Sequence, residues 1–149
     1  TPKAAVAAYA DLLQNGANSK FAGKFADDDL RTKLAELTDQ GQKAMELNEG
    51  NQQQVFTPVD GAIAIMRSAD GGDLVVAQIN SEWTRAAGAG RESQPASDAE
   101  KALFGDGKAT STMKTSYVNV VALYVPPAKS GQKITAVGSE RQPVKVEAL

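Results

Sequence analysis

At 149 residues with a formal net charge of −2, from 16 basic and 18 acidic side chains, the chain has the length for one domain around one core. No Lys/Arg cluster stands out, which argues against an electrostatic nucleic-acid footprint and a polybasic membrane patch. Cys and His are both absent, so disulfides, a thiol nucleophile, a thiolate metal site and a Ser-His-Asp triad are excluded, and zinc would have carboxylates alone.

Aromatic residues make up only 5% of the chain, so Ala, Val, Leu and Ile must build most of the core. No apolar run approaches the ~18 residues of a membrane-spanning helix. The opening "TPKAAVAAYADLL" lacks the order of a signal peptide. Its abrupt start at a helix cap reads as a single α+β domain, 1–149, excised from a longer exported or membrane-anchored protein.

Thr1-Pro2 is an N-cap followed by a first-turn proline, and Val6, Tyr9, Ala10 and Leu13 then fall on one helical face before Asn15-Gly16 stops the helix. Phe21 and Phe25, four apart, suit one short helical turn docked on the core. Asp27, Asp28 and Asp29 place negative charge where the dipole of the next helix favours it. Leu30, Leu34, Leu37, Gly41, Ala44 and Met45 continue at helical spacing. Gly41 predicts a close crossing or a break, and "NEGNQQQ" is expected to end the helical part.

From Val55 the texture becomes that of strands. Two β runs flank Asp70-Gly71-Gly72, a hairpin signal. In the second run Val75, Ala77, Ile79 and Trp83 share a face that Ser81 interrupts, and Glu82 and Arg85 fall on opposite faces. Within the following connection, Ser97 and Glu100 form a capping-box pattern and Gly105 a stop, which predicts a short helix. A long strand is expected from about Lys108 to Val125. A last strand should carry Ile134, Ala136 and Gly138 on one face and Thr135 and Val137 on the other.

The expected fold is therefore α+β: N-terminal helices packed on a curved antiparallel sheet of about four to five long strands. This order resembles the NTF2-like (cystatin-like α+β roll) superfamily, with a half-open cone. The stretches "ADGGDLVVAQI" at 69–79, "VVALYVPP" at 120–127 and "ITAVGSE" at 134–140 resemble the C-terminal region of an uncharacterised group of actinobacterial exported and lipoprotein-type proteins. That resemblance implies an extracytoplasmic location in a Gram-positive cell envelope, with a membrane or lipid anchor upstream of residue 1. It carries over no catalytic residue.

Enzymes of the NTF2-like kind use a carboxylate or a His–Asp pair in the cone. Without His, a base here would be an Asp or Glu whose pKa burial raises. Glu82, on a strand beside the only Trp, is the candidate, although parity with Trp83 turns it to solvent. Asp60-Gly61 reads as turn chemistry. Tyr9, Trp83, Tyr117, Asn119 and Tyr124 are candidate pocket residues, with plain core packing as the alternative. "DGGD" at 70–73 lacks the ligand series of a calcium loop, and "AAGAGRES" lacks the lysine of a phosphate loop, so neither metal nor cofactor is expected. Segment 86–108 reads as a lid over the cone or as a plain bridge.

From Val120 to Val125 every residue is apolar, where a one-sided strand would alternate. One face should meet the helices. The other, with Val120, Ala122 and Tyr124, predicts an interface covered by a homodimer partner, an upstream domain of the same chain, or the 97–104 helix. The functional expectation is an extracytoplasmic, non-enzymatic binding or interaction module. The alternatives are a carboxylate acid–base enzyme acting on a small apolar substrate and a carrier of a small hydrophobic ligand.

Overall fold

The computed structural model describes all residues from Thr1 to Leu149. Two helices, α1 (Pro2–Asn15) and α2 (Asp29–Leu47), precede the strands β1 (Asn51–Arg67) and β2 (Asp73–Ala86); a short helix α3 (Asp98–Phe104) then leads to β3 (Thr112–Val125) and β4 (Thr135–Ala148). The strands form one four-stranded antiparallel meander, curved and unclosed, in the order β1-β2-β3-β4. The α+β expectation holds, with four strands.

Local chemistry places the helix ends. The Thr1 hydroxyl accepts from the Ala4 N–H at 3.1 Å, Pro2 opens α1, and Gly16 closes it at φ 54°. The Asp28 carboxylate caps α2 by accepting from the Arg31 N–H at 2.8 Å. Gly41 marks a close approach rather than a break: a Cβ there would lie 2.5 Å from the Gln52 Oε1 on β1. The strand begins at Asn51, four residues before the change of texture predicts. Its glutamines belong to the ladder, with Gln52 opposite Arg85 and Gln54 opposite Trp83. Polar side chains there hide a strand from a hydrophobic pattern.

The hairpin turns as expected, with Gly71 at φ 90° and the Gly72 N–H donating to the Asp70 carboxylate at 3.0 Å. Asp60 and Gly61 lie in a bulge of β1, where the register breaks between Pro58 and Ile63 and Gly61 takes φ 77°. In β4 the expected alternation fails. Ala136 pairs with Leu123 on the inner face, but Gly138 pairs with Ala122 on the outer one, because a bulge intervenes. That one extra residue turns Ser139, Arg141 and Pro143 inward, opposite Val121, Asn119 and Tyr117.

α1 lies on the inner face and divides it. Val75, Ala77, Ile79, Val121 and Leu123 are sealed beneath the helix with Val6, Tyr9 and Leu12. Burying side chains of this size contributes about 1.5–3 kcal/mol each for the larger ones. Phe25 extends this core: its ring centroid is 5.5 Å from that of Tyr9, and its backbone forms a single parallel bridge to Ile134. The two short turns at 16–18 and 22–24 are 3₁₀ rather than α-helical. Beyond α1, the inner face continues as Ser81, Trp83, Arg85, Thr115, Tyr117 and Asn119.

Tyr9 is fully buried, and its hydroxyl donates to the Asp28 carboxylate at 3.1 Å, tying α1 to the cap of α2. Asp28→Ala removes a helix cap and strands that hydroxyl, so it should cost about 2 kcal/mol, read as a lower urea midpoint with unchanged slope. Burial, then the nearby Asp28 charge, pushes the Tyr9 pKa far above its ordinary 10.0. The native state therefore keeps this proton while the unfolded chain loses it. The Tyr9 contribution is complete below pH 10.0 and declines as pH rises above it. Urea titrations at pH 8 to 11 should show part of that alkaline decline missing in Tyr9→Phe.

Candidate functional site

A cleft of about 750 Å³ opens between α2 and the polar half of the inner sheet face. Leu37, Gly41, Ala44 and Met45 of α2 form one wall, and Trp83, Tyr117 and Arg141 of the sheet face them. Gln94, Ala96, Ser97 and Glu100 supply a third side from the β2–β3 connection. A second groove of about 600 Å³, between α1 and α2, contains Leu12, Leu13, Arg31 and Ala35 but gathers no buried polar network.

The polar floor of the cleft begins with an inward arginine. Arg85 shares its face with Ser81 and Trp83, is 2% exposed, and lies with its guanidinium 4.0 Å from the Trp83 ring centroid. A buried guanidinium requires a counter-charge. Glu100, 1% exposed at the start of α3, supplies it with an Oε1 3.0 Å from the Arg85 Nη1. The same oxygen accepts from the Ala96 N–H at 2.8 Å, while Oε2 accepts from the Thr115 hydroxyl at 2.9 Å and the Tyr117 hydroxyl at 3.2 Å. Burial, and next the Glu100 charge, pushes the Tyr117 pKa up.

The capping pattern thus has a second use. The Ser97 hydroxyl accepts from the Glu100 N–H at 3.2 Å as expected, but the Glu100 carboxylate reaches past the cap to Ala96 and into the sheet. Sequence reasoning saw Glu100 only as a capping residue. The signal available was Arg85, an arginine whose parity puts it among core residues.

The second cluster lies across β2, β3 and β4. Asn119 is fully buried and donates to the Ile79 carbonyl at 2.9 Å and the Ser81 hydroxyl at 3.1 Å. Its side-chain oxygen accepts from the Arg141 Nη1 at 2.9 Å, and that nitrogen also reaches Ser81 Oγ at 3.2 Å. The Arg141 guanidinium stacks on Tyr117, 3.7 Å from the ring centroid.

Of the sequence candidates, Trp83 and Tyr117 line the cleft and Asn119 lies beneath it, holding Arg141. Tyr9 lies in the core under α1, away from the cleft, because its helical face meets the apolar half of the sheet. Tyr124 is on the outer face, where its hydroxyl bonds the Asp70 carboxylate of the hairpin. That contact, through the hydrogen bond first, raises the Tyr124 pKa and lowers that of Asp70. Glu82 also points outward, with its side chain 56% exposed and 3.8 Å from the Lys114 Nζ, so strand alternation keeps it out of the cleft. Val120 and Ala122 share the outer face with Tyr124, and Val120 is 40% exposed. The α3 helix does not cover them, since Glu100 commits it to the inner side. No group of His, Cys, Asp or Glu is arranged to hold a metal ion.

The connection between β2 and β3 is fastened on both sides. The Ser93 hydroxyl contacts the Ser111 carbonyl at 2.7 Å and the Arg85 carbonyl at 3.2 Å, while Asn48 donates to the Glu92 carbonyl at 3.1 Å. It forms a wall of the cleft.

Chemically, Glu100 has four donors on its two oxygens, one of them the Arg85 cation, so no lone pair is free to take a substrate proton. Glu100→Gln keeps the shape and leaves Arg85 as an unpaired buried charge, which should cost about 3–5 kcal/mol. Adding Arg85→Met removes that charge and should recover much of the loss; urea unfolding of the two variants measures both steps. Equal stability of Glu100→Gln and the parent would refute the pairing.

No protein-family model matches this chain, and no curated protein or solved structure is significantly similar to it.

Proposed function

We propose that the chain is a non-enzymatic binding module, placed outside the cytoplasmic membrane, whose cleft receives a small ligand with an apolar body. The observation that carries this reading is the cleft itself: about 750 Å³ of concave space with Trp83, Leu37, Ala44 and Met45 around a hydrogen-bonded polar floor. Ligand sites of small molecules have this size and this mixture of many apolar and few fixed polar groups.

The saturation of Glu100 favours binding over acid–base catalysis. A general base needs a free lone pair within reach of the substrate proton. The buried carboxylate beside Tyr117 meets the location that the carboxylate-enzyme alternative requires, but its four donors oppose that role. The extracytoplasmic placement rests on the likeness of 69–79, 120–127 and 134–140 to exported actinobacterial proteins, and an NTF2-like ancestry on the order of helices and strands.

The outer sheet face favours a second role, as a contact for another copy or for an upstream part of the same chain. By register Met66, Leu74 and Tyr124 form one row and Ala64, Val76 and Ala122 the next, with Val120 beyond. Tyr124→Glu should weaken such a contact, read by analytical ultracentrifugation of the longest expressible chain. An unchanged oligomeric state and unchanged stability would refute it.

Cleft binding is tested with the neutral dye N-phenyl-1-naphthylamine. Ala44 is exposed on the cleft wall, so Ala44→Trp fills the space without entering the core. The dye should brighten with the parent chain and not with Ala44→Trp, while the two proteins unfold alike in urea. Failure of the dye to bind, or binding indifferent to Ala44→Trp, overturns the reading.

A further inference from the structure

Resting on the reading of the cleft as a ligand site, we propose that its ligand is a small organic carboxylate, held by Arg141 with its apolar body against Trp83, Leu37 and Met45. Three basic residues, Lys33, Arg85 and Arg141, line the cleft against one acid, Glu100, in a chain whose overall charge is −2. Glu100 neutralises Arg85 at 3.0 Å. Arg141 has no carboxylate within 4.0 Å; its protein partners are the neutral oxygens of Asn119 and Ser81.

The geometry of those partners selects the ligand's head group. Both bonds use Nη1, at 2.9 and 3.2 Å. The Nε and Nη2 groups have no carboxylate, amide or backbone oxygen as partner, the Tyr117 hydroxyl being their one polar neighbour, and neither is sealed from solvent. Those two N–H groups form the side edge of the guanidinium, a fork with the spacing of the two oxygens of a carboxylate. The stack on Tyr117 at 3.7 Å and the Asn119 bond keep the fork from rotating, and Asn119 is itself fixed by Ile79 and Ser81. A pre-oriented donor pair loses little side-chain freedom when the anion arrives. Burial disfavours the Arg141 charge and lowers its pKa, opposed by the charge of the Tyr117 oxygen and a hydrogen bond to it. An anion in the fork would provide the missing counter-charge.

The test is isothermal titration calorimetry of the whole chain with octanoate and with 1-octanol, which share one apolar body. Octanoate should bind about ten- to a hundredfold more tightly than the alcohol, the range of a charge-assisted pair of hydrogen bonds. Arg141→Gln should close the gap between the two, bringing octanoate down to the level at which the same variant binds 1-octanol. If Arg141→Gln does not fold, Arg141→Lys serves instead: it keeps a charge but loses the fork, and the preference for octanoate should fall. Equal affinity for the two octyl compounds, or an undiminished preference in the Arg141 variants, overturns the inference while binding of the neutral dye leaves the cleft reading intact. If neither the dye nor either octyl compound binds, both readings fail.

Discussion

The arrangement of the polar half of the molecule depends on one ion pair. Arg85 points inward from β2 because strand alternation leaves it no other direction, and a guanidinium 2% exposed cannot stay unpaired. The answering carboxylate comes from α3, in the middle of the β2–β3 connection. That contact seats α3 against the sheet, orients the Tyr117 hydroxyl, and holds the connection as a wall of the cleft. Such a pair adds little net stability compared with apolar residues of the same volume. Its effect is to specify where a loop-borne helix docks.

The inner sheet face thereby carries two different surfaces on the same strands. Along β2 the inward residues run Val75, Ala77, Ile79, Ser81, Trp83 and Arg85; along β3 they run Leu123, Val121, Asn119, Tyr117 and Thr115. The apolar ends lie under α1 and close as core. The polar ends face α2 across open space, where Gly41 allows that helix to approach β1 closely. The cleft between them thus has an apolar wall and a floor of fixed donors. The one buried acid in that floor is already spent on Arg85.

Much of the scaffold was legible because its signals are local. Thr1-Pro2, Asn15-Gly16, Asp70-Gly71-Gly72 and Ser97…Glu100…Gly105 each satisfy or strain backbone groups within a few residues, and each acts where its chemistry predicts. Period-two alternation assigned the faces of β2 and β3, including the outward turn of Glu82. It failed in β4, where a bulge reverses the alternation after Ala136 and sends Arg141 inward. It also missed the first residues of β1, where Gln52 and Gln54 are polar yet turned inward. The candidate site was half visible: Trp83, Tyr117 and Asn119 are among the pocket candidates that the sequence offers, while Glu100 and Arg141 are not.

By itself the sequence determined the α+β class, the capped helices, the hairpin, and the exclusion of thiol and histidine chemistry, because composition and short-range backbone chemistry decide these without reference to distant residues. Only the tertiary structure decided which acid is buried and which arginine is left without one. Glu100 meets Arg85 across 15 residues, and Arg141 meets Asn119 across 22 and Ser81 across 60, so their pairing depends on docking and register. Charge neutralisation in a desolvated site is a property of what is packed nearby, and one bulge is enough to change it.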